Sequence, residues 1–263
     1  MTAWVRVEES EGFAPPDARA FDLPPLFDSV EWLTKPALQI VLSVVIISAF
    51  FLLTTRRISV VPGRLQFAAE GVYGFVRNTI ARDIIGSHDF RAFLPLLLTL
   101  FTFIYVNNVF GVIPLIQFPT MSHIAFPVVL AMVVWVVFNY VGIKRKGFVV
   151  YFKGVMFPPG VPGWVYVLLA PIELVSTIII RPLTMAVRLF ANMFAGHMLI
   201  LVFMLGAEYM LIEGGAVLKA ISVVPFALGI GITFFELLIQ FLQAYVFVLL
   251  TALYIAGAIS EEH

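Results

Sequence analysis

The sequence predicts an all-α membrane protein with about five membrane crossings, an interfacial amphipathic helix and a long, strongly tilted helical hairpin at the C-terminal end. Of its 263 residues, 61% are hydrophobic and only 12% are charged, against about 25% charged in soluble domains. Mean hydropathy is +1.02, and several charge-free runs can cross a hydrocarbon core of about 30 Å. Because a soluble core cannot use that much apolar surface, lipid is the expected solvent.

The N-terminal part divides into a polar tail and a first span. Residues 1–36 carry seven acidic and three basic side chains. They lack the basic start and apolar run of a signal peptide, so we interpret them as an extramembrane tail. Ala37 to Thr55 is 19 residues without a charge, long enough to cross a bilayer. This span opens a second region, predicted over 37–143.

An interfacial helix and a two-span hairpin are predicted to complete that region. Between residues 58 and 91, apolar side chains recur at helical spacing among arginines, which favours an amphipathic helix at the membrane surface; they are Leu65, Phe67, Val72, Phe75, Val76, Ile80 and Ile84. Residues 92–143 carry no formal charge over 52 positions. Pro114, Pro119 and His123 mark a turn between spans near 92–113 and 124–143.

The distribution of basic residues predicts the orientation. Short loops rich in Lys and Arg remain on the cytoplasmic side. The arginine-rich 56–91 loop and the Lys144–Lys153 loop are separated by two crossings, so both can be cytoplasmic. The N-terminus is then outside and, with five crossings, the C-terminus is cytoplasmic.

The last third predicts a connector over 144–171 and a long hairpin over 172–263. Apolar stretches of 36 residues from Ile172 and 40 residues from Ala220 would be helices of about 54 and 60 Å. Both exceed the bilayer core, so they must tilt, kink or break, with Pro182 and Pro225 as the kink positions. The alternative breaks the first stretch at Pro182, adds a crossing and reverses the C-terminus.

Ionisable side chains remain at membrane depth in this hairpin. They are Glu173, Arg181, Arg188, Glu236 and the imidazole of His197. A charge at the bilayer centre costs about 3 kcal/mol or more, so it persists where it pairs, contacts water or carries ions. Glu173 and Arg181 either lie near an interface and reach it, or line a path. Arg188 lies seven residues deeper than Arg181, which leaves a structural ion pair or a functional charge.

Helical spacing groups these residues with neighbouring polar side chains. Asn192 follows Arg188 by four residues and shares its face. Glu236, Gln240 and Gln243 form one polar stripe, which indicates either a polar path or interhelical hydrogen bonds.

The same spacing predicts the register of the hairpin. His197 lies nine residues after Arg188, and Glu236 lies seven residues before Gln243. An antiparallel register that places Arg188 opposite Gln243 therefore places His197 near Glu236.

Three segments resemble a known family. Residues 181–197 read RPLTMAVRLFANMFAGH, residues 242–255 read LQAYVFVLLTALYI, and residues 260–263 read SEEH. They are similar to the signatures of subunit a of F-type ATP synthase, the proton-conducting stator subunit, in which a basic residue and proline precede Arg-Leu-Phe-x-Asn-Met-x-Ala-Gly. The span layout agrees with this resemblance from about residue 30 onward.

The resemblance implies proton translocation through two aqueous half-channels, coupled to rotation and ATP synthesis. Arg188 would be the stator arginine facing a ring of small c-type subunits, and it would separate the half-channels. His197 and Glu236 would line the outer half-channel and Glu173 the inner one. Asn192, Gln240, Gln243 and Arg181 would supply supporting polar contacts.

The same resemblance implies the surroundings of the chain. It would be a non-catalytic subunit without cofactor or metal, in a bacterial plasma (inner) membrane. Its partners would be the c-type ring, peripheral-stalk b-type subunits, lipid and protons, with no nucleic acid.

Rival classes fit the sequence less well. A proton- or ion-coupled secondary transporter would share broken helices and buried charges, but the N-terminal half shows no repeat of the long hairpin. A membrane enzyme would need a converging nucleophile or metal set. The chain has no cysteine, so thiolate chemistry is excluded. A structural scaffold would not need Arg188 at depth.

Overall fold

The computed structural model describes residues 16, 34–56, 58–113, 120–157 and 162–260. These ranges contain nine α-helices and no strand. The helices are α1 (Lys35–Thr55), α2 (Arg64–Phe75), α3 (Phe90–Val109), α4 (Ala125–Lys146), α5 (Phe148–Met156), α6 (Tyr166–Val175), α7 (Arg181–Ile212), α8 (Ala216–Ile221) and α9 (Val223–Ile259). The predictions for the acidic tail and for the turn at 114–119 fall outside the described residues, apart from Pro16 and Thr34–Pro36 of the tail.

Five segments are long and apolar enough to cross a membrane, which confirms the predicted class. Three are α1, α3 and α4, and the others are Gly163–Ile212 and Ala216–Ile259. The alternative with a break and an extra crossing at Pro182 is not what the structure shows. Helices α6 and α7 continue into each other through a π-helical segment, Ser176–Ile180.

The π-helical segment explains why Pro182 does not break this helix. A proline removes one backbone N–H and crowds the carbonyl four residues earlier. Pro182 lies in the first turn of α7, directly after the wider π turns. The indole Nε1 of Trp135 donates a hydrogen bond to the Thr177 carbonyl at 3.1 Å, so α4 satisfies one carbonyl of the irregular segment. Pro225 lies in the first turn of α9, directly after the interruption at Ser222 that separates α8 from α9.

The predicted interfacial helix packs partly against protein. Helix α2 continues into a second π-helical segment, Val76–Ile85, that lies against α3 and α9. Phe75 contacts Phe101, Phe241 and Tyr245, with ring centroids 5.6 to 5.8 Å apart. Leu65 and Phe67 are exposed, whereas Ala69 is buried and Val72 and Phe75 pack against the core.

The hydrophobic core lies between α3, α4, α7 and α9. Its fully buried members include Leu97, Ile104, Phe138, Met193 and Phe247. Helix α1 is outside this core, because only 11% of its span is buried. The long helices α7 and α9 therefore have one face on the core and one face uncovered by this chain.

A tight turn joins α4 to α5 at one end of the molecule. Gly147 has a φ of +82°, a backbone conformation that side chains with a Cβ rarely adopt. The turn folds Tyr151 back onto Gly142 of α4, where its hydroxyl donates to Asn139 Oδ1 at 3.2 Å. At the same end, Arg145 forms a bidentate ion pair with Asp89, which directly precedes α3.

Candidate functional site

A buried polar stripe runs along α9. Glu236 is 2% exposed, Gln240 is fully buried and Gln243 is 3% exposed. All three face α7 or the core, whereas Phe234, Phe235 and Leu238 face outward. The predicted stripe is therefore real, and it points into the protein.

Contacts between α7 and α9 fix the register of the hairpin. Asn192 Nδ2 donates to Gln243 Oε1 at 2.6 Å. Gly196 lies against the Glu236 side chain, since a Cβ at Gly196 would be 3.0 Å from Glu236 Oε1. His197, the next residue, is buried on the same helix. The contact at Glu236 agrees with the register that the sequence spacing predicts. The predicted neighbour of Gln243 was Arg188, whereas in the structure Gln243 bonds Asn192, one turn further along α7.

Several polar atoms of the α9 stripe have no hydrogen-bond partner among the described residues. Glu236 and Gln240 interact with each other, but their side-chain oxygens and nitrogen make no hydrogen bond of good geometry, and Nε2 of Gln243 has no partner. A buried polar group without a partner destabilises the folded state by about 1–3 kcal/mol. Such groups are usually hydrogen-bonded to ordered water. A row of such groups inside a membrane protein offers binding positions for water.

Arg188 lies on α7 one turn before Asn192. It is exposed, and it makes no ion pair within the part of the chain that the structure describes. It is the twenty-sixth of the fifty residues of its membrane-crossing segment, so it lies near the middle. Its exposed neighbours include the apolar Leu183 and Val187, and the hydroxyl of Thr184 is bonded to its own helix backbone. A permanent cation on an apolar surface at this depth requires an acidic partner from another chain or water.

A separate cavity of about 240 Å³ opens where α4, α5, α6, α7 and α9 meet. Two cations, Lys146 and Arg181, line it together with the carboxylate of Glu173. The Arg181 guanidinium lies 5.4 Å from the Tyr254 ring centroid, and Tyr151 completes the polar lining. Arg181 is two helical turns, or about 10 Å, from Arg188. The structure therefore brings Glu173 and Arg181 together, but in a cavity distinct from the α9 stripe.

Sequence reasoning missed three of these polar cavity residues, Lys146, Tyr151 and Tyr254. It read Lys146 only as a signal of sidedness, and no spacing rule links a tyrosine on α5 to one on α9. The folding of α5 onto α4 at Gly147 brings them together.

The fold and the site define a multi-span membrane protein with ionisable groups inside its membrane-crossing segments. Residues 37–256 match the family model described as ATP synthase A chain, and the chain belongs to that family. It is 48% identical to ATP synthase subunit a of Nocardioides sp., over 98% of both chains.

Other relatives agree. The chain is 46% identical to ATP synthase subunit a of Pseudarthrobacter chlorophenolicus, over 97% of this chain and 96% of the relative. It is 44% identical to the protein of the same name from Frankia alni, over 98% of this chain and 91% of the relative. Membership supports a role in the proton-translocating sector of an F-type ATP synthase.

Proposed function

We propose that this chain conducts protons through the membrane sector of a rotary F-type ATP synthase, along two aqueous half-channels that Arg188 separates. Proton flow through them drives rotation of a ring of small carboxylate-bearing subunits, and rotation drives ATP synthesis. At 100 mV each charge that crosses supplies about 2.3 kcal/mol, so several protons are needed for each ATP.

The exposed Arg188 is the observation that carries this proposal. Its guanidinium stays charged at any accessible pH, and its face of α7 is uncovered by this chain. A ring carboxylate that passes Arg188 is favoured in its ionised form, because an adjacent cation stabilises the anion. Away from the chain, lipid favours the protonated acid. Proton exchange is therefore confined to the stretch of ring beside α7 and α9, and Arg188 blocks a direct leak.

The outer half-channel follows the buried stripe. Glu236 and His197 lie together on facing helices, and Gln240 and Gln243 continue the polar row toward the level of Arg188. The polar atoms of this row bind water. The bound water and the side chains together provide proton donors and acceptors along the route. Protons pass from the outer side to Glu236 and His197, then to the ring carboxylate beyond Arg188.

The inner half-channel is the cavity that Glu173 lines. Its cations, Lys146 and Arg181, favour the ionised form of a ring carboxylate that reaches the cavity. A ring carboxylate on this side of Arg188 therefore loses its proton to water in the cavity. The N-terminus is on the outer side and the C-terminus is cytoplasmic, which makes this cavity the cytoplasmic exit. Peripheral-stalk b-type subunits would hold the chain still against the ring.

The test compares two arginine variants in the assembled complex, reconstituted in vesicles. Arg188→Ala should reduce proton-driven ATP synthesis to background while the complex still assembles. Arg64→Ala, which removes an exposed arginine of α2, is the matched control and should keep synthesis. Coupled synthesis in Arg188→Ala would overturn the assigned role.

A second measurement follows the outer path. Glu236→Gln keeps the shape of the side chain and removes the titratable group, so passive proton flow through the membrane sector should slow. An unchanged rate would remove Glu236 from the path. Mass spectrometry of the purified assembly should show a ring of small carboxylate-bearing subunits.

A further inference from the structure

Two arginines lie over one buried aromatic ring at the start of α3. The guanidinium carbon of Arg77 is 5.9 Å from the centroid of the Phe90 ring, and that of Arg91 is 6.0 Å from the same centroid. Phe90 is 4% exposed, so surrounding protein fixes the ring in place. A guanidinium is attracted to the face of an aromatic ring, and the two contacts hold both cations near each other. Arg77, Phe90 and Arg91 together form the double-arginine site.

Acidic side chains of this chain do not neutralise the two cations. Neither Arg77 nor Arg91 makes an ion pair with any residue that the structure describes. Asp89, which directly precedes α3, is engaged by Arg145 of α4. Two like charges held near each other repel. An anion bound between them removes the repulsion and accepts charge-assisted hydrogen bonds from both guanidinium groups. The pair therefore has the chemistry of an anion-binding site.

The depth of the double-arginine site indicates which anion it meets. Phe90 and Arg91 are the first two residues of Phe90–Val109, a segment long and apolar enough to cross a membrane. The end of such a segment lies at the level of the lipid headgroups. At that level the abundant anion is the phosphate of a phospholipid, which the planar fork of Arg binds in bidentate fashion. Because the two cations repel a headgroup ammonium, an anionic lipid is favoured over a zwitterionic one.

Below Arg91, one face of α3 suits the acyl chains of such a lipid. Pro95 and Thr99 follow Arg91 at intervals of four residues, so they share its face. Both are exposed in the part of the chain that the structure describes. Thr99 Oγ1 donates to the Pro95 carbonyl at 2.8 Å, so the hydroxyl is satisfied within its own helix. The face therefore continues from a cation into a surface with no side-chain polar group that needs a partner.

We propose that Arg77 and Arg91 bind the phosphate of one anionic phospholipid over the Phe90 ring, with its acyl chains along the face from Arg91 to Thr99. The lipid bridges the π-helical segment Val76–Ile85 and the start of α3, and it neutralises the two cations. This role uses none of the residues assigned to the proton path and does not depend on the proposed function.

A photoreactive lipid tests the site in the assembled complex. The probe is a trace of phosphatidylglycerol with a diazirine on one acyl chain, in phosphatidylcholine vesicles that contain the complex. Mass spectrometry of the labelled peptides should find the probe on α3 below Arg91. The double variant Arg77→Gln with Arg91→Gln should reduce this labelling severalfold. Arg64→Gln with Arg82→Gln is the matched control and should keep it, because it removes the same charge from two exposed arginines outside the double-arginine site.

Competitors distinguish the sources of phosphate. Unlabelled phosphatidylglycerol should displace the probe, whereas inorganic phosphate should not. Displacement by inorganic phosphate would show that the site takes a free anion and would overturn the lipid assignment. Equal loss of labelling in both double variants would overturn the site, because general attraction between a basic surface and anionic lipid would then be sufficient. Unchanged labelling in both would also overturn it.

Two further observations keep the test decisive. An unlabelled α3 in the unmodified complex, with release of a protein subunit from the glutamine variant, would overturn the proposal in favour of an acidic protein partner. If the glutamine variant does not assemble, Arg77→Lys with Arg91→Lys repeats the test. Lysine keeps the charge but not the planar fork, so labelling should still decrease. Full labelling in the lysine variant would show that charge alone recruits the lipid and would overturn the arginine-specific site.

Discussion

The side-chain amides of Asn192 and Gln243 meet across the long hairpin, with Asn192 Nδ2 2.6 Å from Gln243 Oε1. Asn192 is one helical turn after Arg188. The bond therefore restricts the rotation of α7 about its axis at the level of the arginine. It keeps Arg188 exposed while Gln243 stays buried.

Replacing either amide should impair function more than stability. Asn192→Leu removes the bond and leaves the Gln243 amide without a described partner at either atom, since its Nε2 already lacks one. An interhelical hydrogen bond in a membrane contributes about 0.6 kcal/mol on average, so the thermal unfolding midpoint should change little. Proton-driven ATP synthesis should fall severalfold because Arg188 loses its fixed orientation.

A double-mutant cycle checks whether the two amides act together. The double variant with Gln243→Leu should lose no more activity than the worse single variant. Losses that multiply in the double variant would show that the amides act independently.

Spacing alone was enough to predict which polar residues of the hairpin share a face. Once both stretches are helical, a period of 3.6 residues places Glu236, Gln240 and Gln243 together. The exposure of Arg188 could not be predicted from spacing, because it depends on which faces of α7 other helices cover.

Gly196 should be intolerant of even a methyl group. A Cβ there would lie 3.0 Å from Oε1 and 3.2 Å from Cδ of Glu236. Gly196→Ala must therefore displace the carboxylate by a few tenths of an ångström, and passive proton flow through the membrane sector should slow. Gly71→Ala in α2 is the matched control, since nothing lies within 4 Å of its Cβ position. Equal flow in both variants would show that the position of the Glu236 carboxylate is not critical.

Packing between distant segments could not be predicted from the sequence. Residues 64–85 have the arginines of a surface helix, and the sequence predicts an interfacial position. The structure places Phe75 against Phe241, 166 positions later, and no local periodicity records such a contact. The sequence likewise could not decide whether the helix kinks or breaks at Pro182. The structure shows a continuous helix through a π-helical segment, which has no distinct sequence pattern.

The α4–α5 turn offers a prediction for the inner cavity. A Cβ at Gly142 would overlap the ring of Tyr151. Gly142→Ala should push Tyr151 out of its place in the cavity lining and break its hydrogen bond to Asn139, with a loss of about 1–3 kcal/mol for overpacking. The midpoint of thermal unfolding and the rate of proton-driven ATP synthesis should both decrease. Gly74→Ala is the matched control, because its Cβ position is open, and it should keep the unfolding midpoint and the rate of synthesis. A Gly142→Ala variant with unchanged midpoint and rate would contradict the close packing of Gly142 against Tyr151.

The ion pair between Asp89 and Arg145 should give a pH-dependent contribution to stability. The hydrogen bond from the Arg145 side chain holds the pKa of Asp89 below its usual range, and the positive charge of Arg145 acts in the same direction. The contribution is therefore fully present above the unfolded pKa of about 3.9 and is lost as pH falls through the lower folded value. Because the pair is solvent-accessible, it is worth about 1 kcal/mol or less.

Thermal unfolding of the assembled complex across pH measures this contribution. Asp89→Asn should lower the unfolding midpoint at neutral pH, and its difference from the unmodified chain should shrink on acidification toward the folded pKa of Asp89. Asp83→Asn is the matched control, because Asp83 is exposed and makes no ion pair with any described residue. Its midpoint should equal that of the unmodified chain throughout. A difference for Asp89→Asn that stays constant down to the lowest pH would mean that the variant acts by some route other than loss of the ion pair.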